Sequence, residues 1–154
     1  LHPDNLTLPG NYQVWQSKVA MGSGGFFGKG IFNGTQKEMD FIPVQESDFI
    51  FSVIVEELGF IGGLFVIALY GGLMTRMVML VRDALDWYGA LIVTGFTAMF
   101  IFQVFENIAM TMGIMPVTGI TLPFISYGGS SLLSYMIMAG IIFNISNESL
   151  RYTN

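Results

Sequence analysis

The chain has 154 residues, 53% of them hydrophobic and only 11% charged, and its mean hydropathy is positive. Soluble domains carry about 25% charged residues, and a chain of this length could hardly bury 14 Phe and 11 Met in one soluble core. The absence of cysteine excludes a disulfide framework and a thiolate metal site, the single His2 argues against a histidine zinc site or a Ser-His-Asp triad, and the formal charge of −5, with six dispersed Lys and Arg, excludes a nucleic-acid binder.

Residues 1–47 read as a polar, turn-rich segment outside the bilayer. Within it, Tyr12, Trp15, Val19 and Ala20 recur at helical spacing, which predicts a short helix over 11–21 lying at the membrane surface with its aromatic rings at headgroup level. The run GSGGFFGKGIFNGTQ that follows is too rich in glycine for a stable helix. Residues 48–154 form the transmembrane region. Its first span covers about 49–74, and Arg76 and Arg82 follow in a loop. The second covers about 87–109. A Pro- and Gly-punctuated stretch, GIMPVTGITLPFIS, leads to the third, about 127–146, with Arg151 beyond it. Each is long enough to cross ~30 Å of hydrocarbon at 1.5 Å per residue. The predicted fold is an all-α membrane protein, a polytopic helix bundle with three transmembrane helices and a Gly-rich extracellular loop.

The short loops give an orientation. Arg76 and Arg82 lie between spans one and two and Arg151 follows span three, whereas the loop between spans two and three has no Lys or Arg. The positive-inside rule places the arginine ends in the cytoplasm and the Gly-rich segment and PVTG loop outside. Lys18, Lys29 and Lys37 belong to the longer outer segment, where the rule is less strict.

Among polar residues, Asp48 stands where the outer segment enters span one. One reading is a helix cap; the other is a carboxylate at a water–lipid boundary, disposed by partial desolvation to accept a proton. On an ideal helix Asp48, Ser52, Val55 and Gly59 share one face. Glu56, Glu57, Glu106 and Asn107 lie in apolar runs, where structural hydrogen bonding into the bundle is the first expectation. The GSGG turn with Ser23 and the GKG turn with Lys29 are read either as a flexible loop or as a nest of N–H groups for a phosphate, although the frame is not that of a P-loop. SYGGSS, with Ser130, suits either close helix packing or ligand binding.

Beyond these readings, YQVWQSKVAMGSGGFFGKGIFNGTQ, ESDFIFSVIVEELGFIGG and NIAMTMGIMPVTGITLPFISYGGSS resemble, in order and spacing, three consecutive motifs of the SEDS family (RodA, FtsW and SpoVE) of bacterial shape, division and sporulation proteins. NGTQ before the acidic motif resembles the RodA branch. The likeness runs from about residue 11 to 147 and implies that the chain corresponds to the C-terminal part of a longer polytopic protein of the bacterial cell membrane. It implies a peptidoglycan glycosyltransferase that polymerises lipid II into glycan strands during cell elongation, on the extracytoplasmic face, with a class B penicillin-binding protein as partner. The family's essential aspartate maps onto Asp48, the expected general base. Lys18, Lys29, Ser23 and Ser130 are the expected substrate-binding residues, with a divalent cation, Mg2+ or Mn2+, as a candidate helper for the pyrophosphate. ESDFIF in place of a run such as HTDFIF, NIAM in place of NIGM, and Glu106 at a usually apolar position depart from the family pattern. A transporter that flips the lipid-linked precursor and a membrane scaffold for a penicillin-binding protein are the alternative functions.

Overall fold

The computed structural model describes residues 9–30, 48–84 and 86–153. Four helices follow in order: α1 (Pro9–Gly24), α2 (Ile50–Asp83), α3 (Trp87–Thr111) and α4 (Gly129–Thr153). No strand occurs among the described residues. Three helices are long and apolar enough to cross a membrane, over Ile50–Arg82, Trp87–Thr111 and Gly129–Glu148.

The helix of the first span does not end near residue 74. No Gly or Pro interrupts the sequence between Met74 and Asp83, so α2 continues and carries Arg76 and Arg82 on its last turns rather than in a loop. Both arginines remain at the same end of the helix. The helix of the third span begins at Gly129, two residues after the predicted start of the span, and runs on past 146.

Helix α1 also exceeds its prediction, opening at Pro9, whose fixed φ suits a first helical turn. Of the residues whose spacing predicted the helix, only Ala20 packs against the protein. Ser17, Ala20 and Gly24 face inward, whereas Tyr12, Trp15 and Val19 are exposed. Small residues let α1 lie close against its neighbours. Ser17 Oγ donates to Thr111 O at 2.9 Å, fastening α1 to the end of α3, and Tyr12 and Trp15 stack outward with ring centroids 6.4 Å apart.

Helix α2 is broken at Gly59, which adopts φ 74° and ψ −172°. In an unbroken helix Phe60 N–H and Ile61 N–H would bond the carbonyls of Glu56 and Glu57. Here the Gly-rich segment after α1 takes over both sides of the break. Lys29 N–H and Gly30 N–H donate to Glu56 O and Glu57 O, each at 3.1 Å, while Phe60 N–H and Ile61 N–H donate to Gly25 O and Phe26 O at 2.9 and 3.4 Å. All four freed groups are satisfied, as an apolar environment requires. The glycines make this approach possible: a Cβ on Gly24 would strike Val55 O, one on Gly28 would strike Glu57 O, and one on Gly59 would strike Gly28 N and Phe26 O.

The core lies between α2, α3 and the α3–α4 connection and contains Phe51, Val66, Tyr70, Met77, Phe100, Val104 and Leu122. The connection does not simply cross the surface. Leu122 and Pro123 are buried, and Tyr70 donates from the middle of α2 to Pro123 O. Ser126 closes the turn, its Oγ accepting from Leu122 N–H at 2.8 Å and its N–H donating to Leu122 O at 3.0 Å. Phe124, at φ 64°, projects between Phe100 and Tyr135. Irregular backbone at this depth is tolerated where protein surrounds it.

Candidate functional site

Asp48 immediately precedes the first turn of α2. No side-chain cap is made at Phe49, the N-cap residue; instead Ser52 Oγ donates back to Phe49 O at 2.7 Å. The main chain of Asp48 is held from the side. Asn107, on the last turns of α3 and wholly buried, donates through Nδ2 both to Asp48 O at 3.0 Å and to Ile120 O at 2.6 Å. One amide therefore joins the start of α2, the end of α3 and the connection that follows it.

The same connection approaches the Asp48 carboxylate. Gly119, at φ 71°, lies so close that a Cβ there would be 3.5 Å from Asp48 Oδ2. Thr118 N–H contacts Met110 Sδ at 3.4 Å, holding the preceding residue to α3. Gly119, the last residue of the PVTG motif, is thus the wall beside the acid.

The other predicted site residues take different positions. Lys18 projects from α1 over the C-terminus of α3, where a Cβ on Gly113 would meet its side chain, so Lys18 and Asp48 border the two ends of the 113–119 segment. Lys29 Nζ lies 2.9 Å from Glu56 Oε1, and the Glu56 side chain is 0% exposed. Glu56 is eight residues along the chain from Asp48, roughly 12 Å along a helix axis. The Lys29 ammonium is thus engaged with a carboxylate one layer below the acid, and the Lys29 and Gly30 N–H groups are engaged with the helix break. Ser23 Oγ donates within α1 to Ala20 O at 2.7 Å. Ser130 is exposed on the first turn of α4, where its carbonyl accepts from Ser134 Oγ at 2.9 Å. Lys37, Glu46, Ser47 and the NGTQ motif lie outside the described residues.

Sequence reasoning gives Asn107 only general hydrogen bonding. The signal it offers is an amide in an apolar run, which demands an internal partner; the identity of that partner depends on the tertiary structure. Asn107 Oδ1 and Glu106 Oε2 are buried without a hydrogen-bond partner among the described residues.

Three apolar spans, a sutured helix break and an acid at the mouth of the first span define a multi-pass helical membrane protein. The family model described as "Cell cycle protein", for FtsW, RodA and SpoVE, matches residues 1–151, and the chain belongs to that family. It is 43% identical over 150 residues to the peptidoglycan glycosyltransferase RodA of Treponema pallidum (strain Nichols), covering 97% of this chain and 35% of that protein. It is 42% identical over 149 residues to the stage V sporulation protein E of Bacillus subtilis (strain 168), covering 97% and 40%. It is also 42% identical over 145 residues to the peptidoglycan glycosyltransferase MrdB of Escherichia coli (strain K12), covering 94% and 39%. A solved chain from a study of how a peptidoglycan synthase complex coordinates polymerization and crosslinking superposes with a TM-score of 0.76 at 31% identity, over 96% of this chain and 39% of that one. The chain therefore spans about two fifths of the length of these relatives.

Proposed function

We propose that the protein containing this chain is a peptidoglycan glycosyltransferase that polymerises lipid II during cell elongation, with Asp48 as general base on the extracytoplasmic face. The observation that carries this reading is Asp48 at the mouth of α2, with its main chain held by Asn107 and its carboxylate beside Gly119, in a chain related to proteins named peptidoglycan glycosyltransferases. Asp48 accepts the proton of the 4-hydroxyl of the acceptor sugar. That oxygen forms a bond to the anomeric carbon of the donor as the bond to the polyprenyl pyrophosphate breaks, inverting the centre without a second carboxylate. Lys18, at the edge of the same connection, supplies positive charge toward the pyrophosphate, and exposed Ser130 is a further proposed substrate contact, whereas the expected contacts of Lys29 and Ser23 give way to their bonds with Glu56 and Ala20.

A divalent cation, Mg2+ or Mn2+, is proposed to be held chiefly by the pyrophosphate itself, since no group of three or more His, Cys, Asp or Glu side chains able to hold one occurs among the described residues. A class B penicillin-binding protein is the proposed transpeptidase partner, supported by the likeness to a chain of a peptidoglycan synthase complex. A broken helix is also a feature of transporters, where unwound carbonyls coordinate ions. The Glu56 and Glu57 carbonyls at this break already accept from Lys29 and Gly30, which favours the enzyme over the flippase.

The test is glycan synthesis from lipid II by the intact protein and its Asp48→Asn variant. Synthesis falls by about 10²- to 10⁴-fold while folding and partner binding persist. Strand synthesis at the parent's rate would overturn the reading.

A further inference from the structure

We propose that Asn107 is a positioning residue for Asp48, acting through a single amide that locks the acid and the 119–120 backbone into one unit. The inference rests on Asp48 being the proposed base. Asn107 is 0% exposed, so its N–H groups have no bulk water to turn to, and Nδ2 divides its two hydrogens between Asp48 O and Ile120 O. These acceptors come from segments 59 and 13 residues away in sequence. Gly119, the neighbour of one acceptor, lies against the carboxylate of the other, at a backbone conformation that favours glycine. A shift of either segment therefore moves the carboxylate relative to its wall.

The α3 terminus has its own supports in Ser17 and in the turn at Gly113. Loss of the Asn107 donors leaves α3 anchored but removes this tie between α3 and the Asp48 carbonyl. A general base displaced by a fraction of an ångström to an ångström no longer reaches the hydroxyl proton in line with attack, and such misplacement costs on the order of 10²-fold in rate. Binding of the lipid-linked sugars, spread over a larger surface, changes little. The signature is thus a fall in kcat without a matching rise in KM.

The experiment is a double-mutant cycle in the intact membrane protein, reading kcat and KM for lipid-linked sugar polymerisation together with the thermal unfolding midpoint. Asn107→Asp keeps the shape and leaves at most one donor, the O–H of a neutral carboxyl, for two acceptors; Asn107→Gln keeps the donors on a longer arm. Asn107→Asp is expected to lower kcat on the order of 10²-fold with KM within about threefold, Asn107→Gln to recover part of the rate, and Asn107→Asp to add nothing in an Asp48→Asn background. Parental kcat in Asn107→Asp, or an equal further loss in the Asp48→Asn background, overturns the positioning role and leaves the base assignment standing. A fully active Asp48→Asn single variant overturns the base assignment and the positioning role with it. Should Asn107→Asp fail to fold, Gly119→Ala probes the same unit from the loop side: a kcat loss with preserved KM supports it, and unchanged kcat overturns it.

Discussion

Lys29 and Glu56 show how a charge in a glycine turn is fixed by burial. The Glu56 carboxylate is withdrawn from water, and the Lys29 ammonium lies 2.9 Å from it with its own side chain 31% exposed. Removing only the cation takes from a buried carboxylate the ammonium 2.9 Å away, which is destabilising. Lys29→Met should therefore lower the unfolding midpoint of the intact protein in detergent, and Lys29→Met combined with Glu56→Gln should recover most of the loss. A single variant as stable as the parent would show that the pair contributes nothing. At Asp48 the physics differs: its main chain is anchored by Asn107, and the expected effect of its replacement is on rate rather than on stability.

Helix α2 and the 24–30 segment form one element in two pieces of sequence. The break exposes two carbonyls and two N–H groups, and the glycine turn covers them with the reciprocal set. Its geometry depends on Gly59 twice, through a positive φ and through the space a side chain would fill. Gly59→Ala should destabilise the protein by about 1–3 kcal/mol from backbone conformation alone, with faster proteolysis of the 24–30 segment. Gly22, on an open face of α1 where an added Cβ would meet nothing within 4 Å, provides the contrast: Gly22→Ala should be neutral or stabilise by about 0.5–1 kcal/mol. Equal effects of the two changes on thermal unfolding would contradict the suture.

On the scale of the whole molecule, the three spans are covered unequally. Buried residues make up 28% of the most apolar stretch of the first span, 22% of that in the second and 6% of that in the third, so most of the α4 surface is left to lipid or to protein outside this chain. The orientation proposed for the active face has a direct test because the chain contains no cysteine. Ile114, in the connection after α3, and Tyr88, at the start of α3, are 73% and 81% exposed and lie at opposite ends of one span. In intact cells Ile114→Cys should react with a membrane-impermeant thiol reagent and Tyr88→Cys should not; the reverse pattern would place Asp48 in the cytoplasm and end the extracytoplasmic reading.

The number and class of the spans were legible in the sequence because sustained hydropathy is a local property that survives any arrangement of helices in lipid. The family was legible because its motifs are ordered strings. The end of α2 was not, since an arginine near a membrane boundary does not itself stop a helix. Nor was the inward face of α1, because periodicity marks large apolar residues whereas close packing selected Ser17, Ala20 and Gly24. Sequence alone thus determined that the chain has three spans fit to cross a membrane and carries an acid at the start of the first. Only the tertiary structure decided which backbone groups the glycines complete and which amide holds that acid, because hydrogen-bond partners far apart in the chain are chosen by geometry and leave no periodic trace.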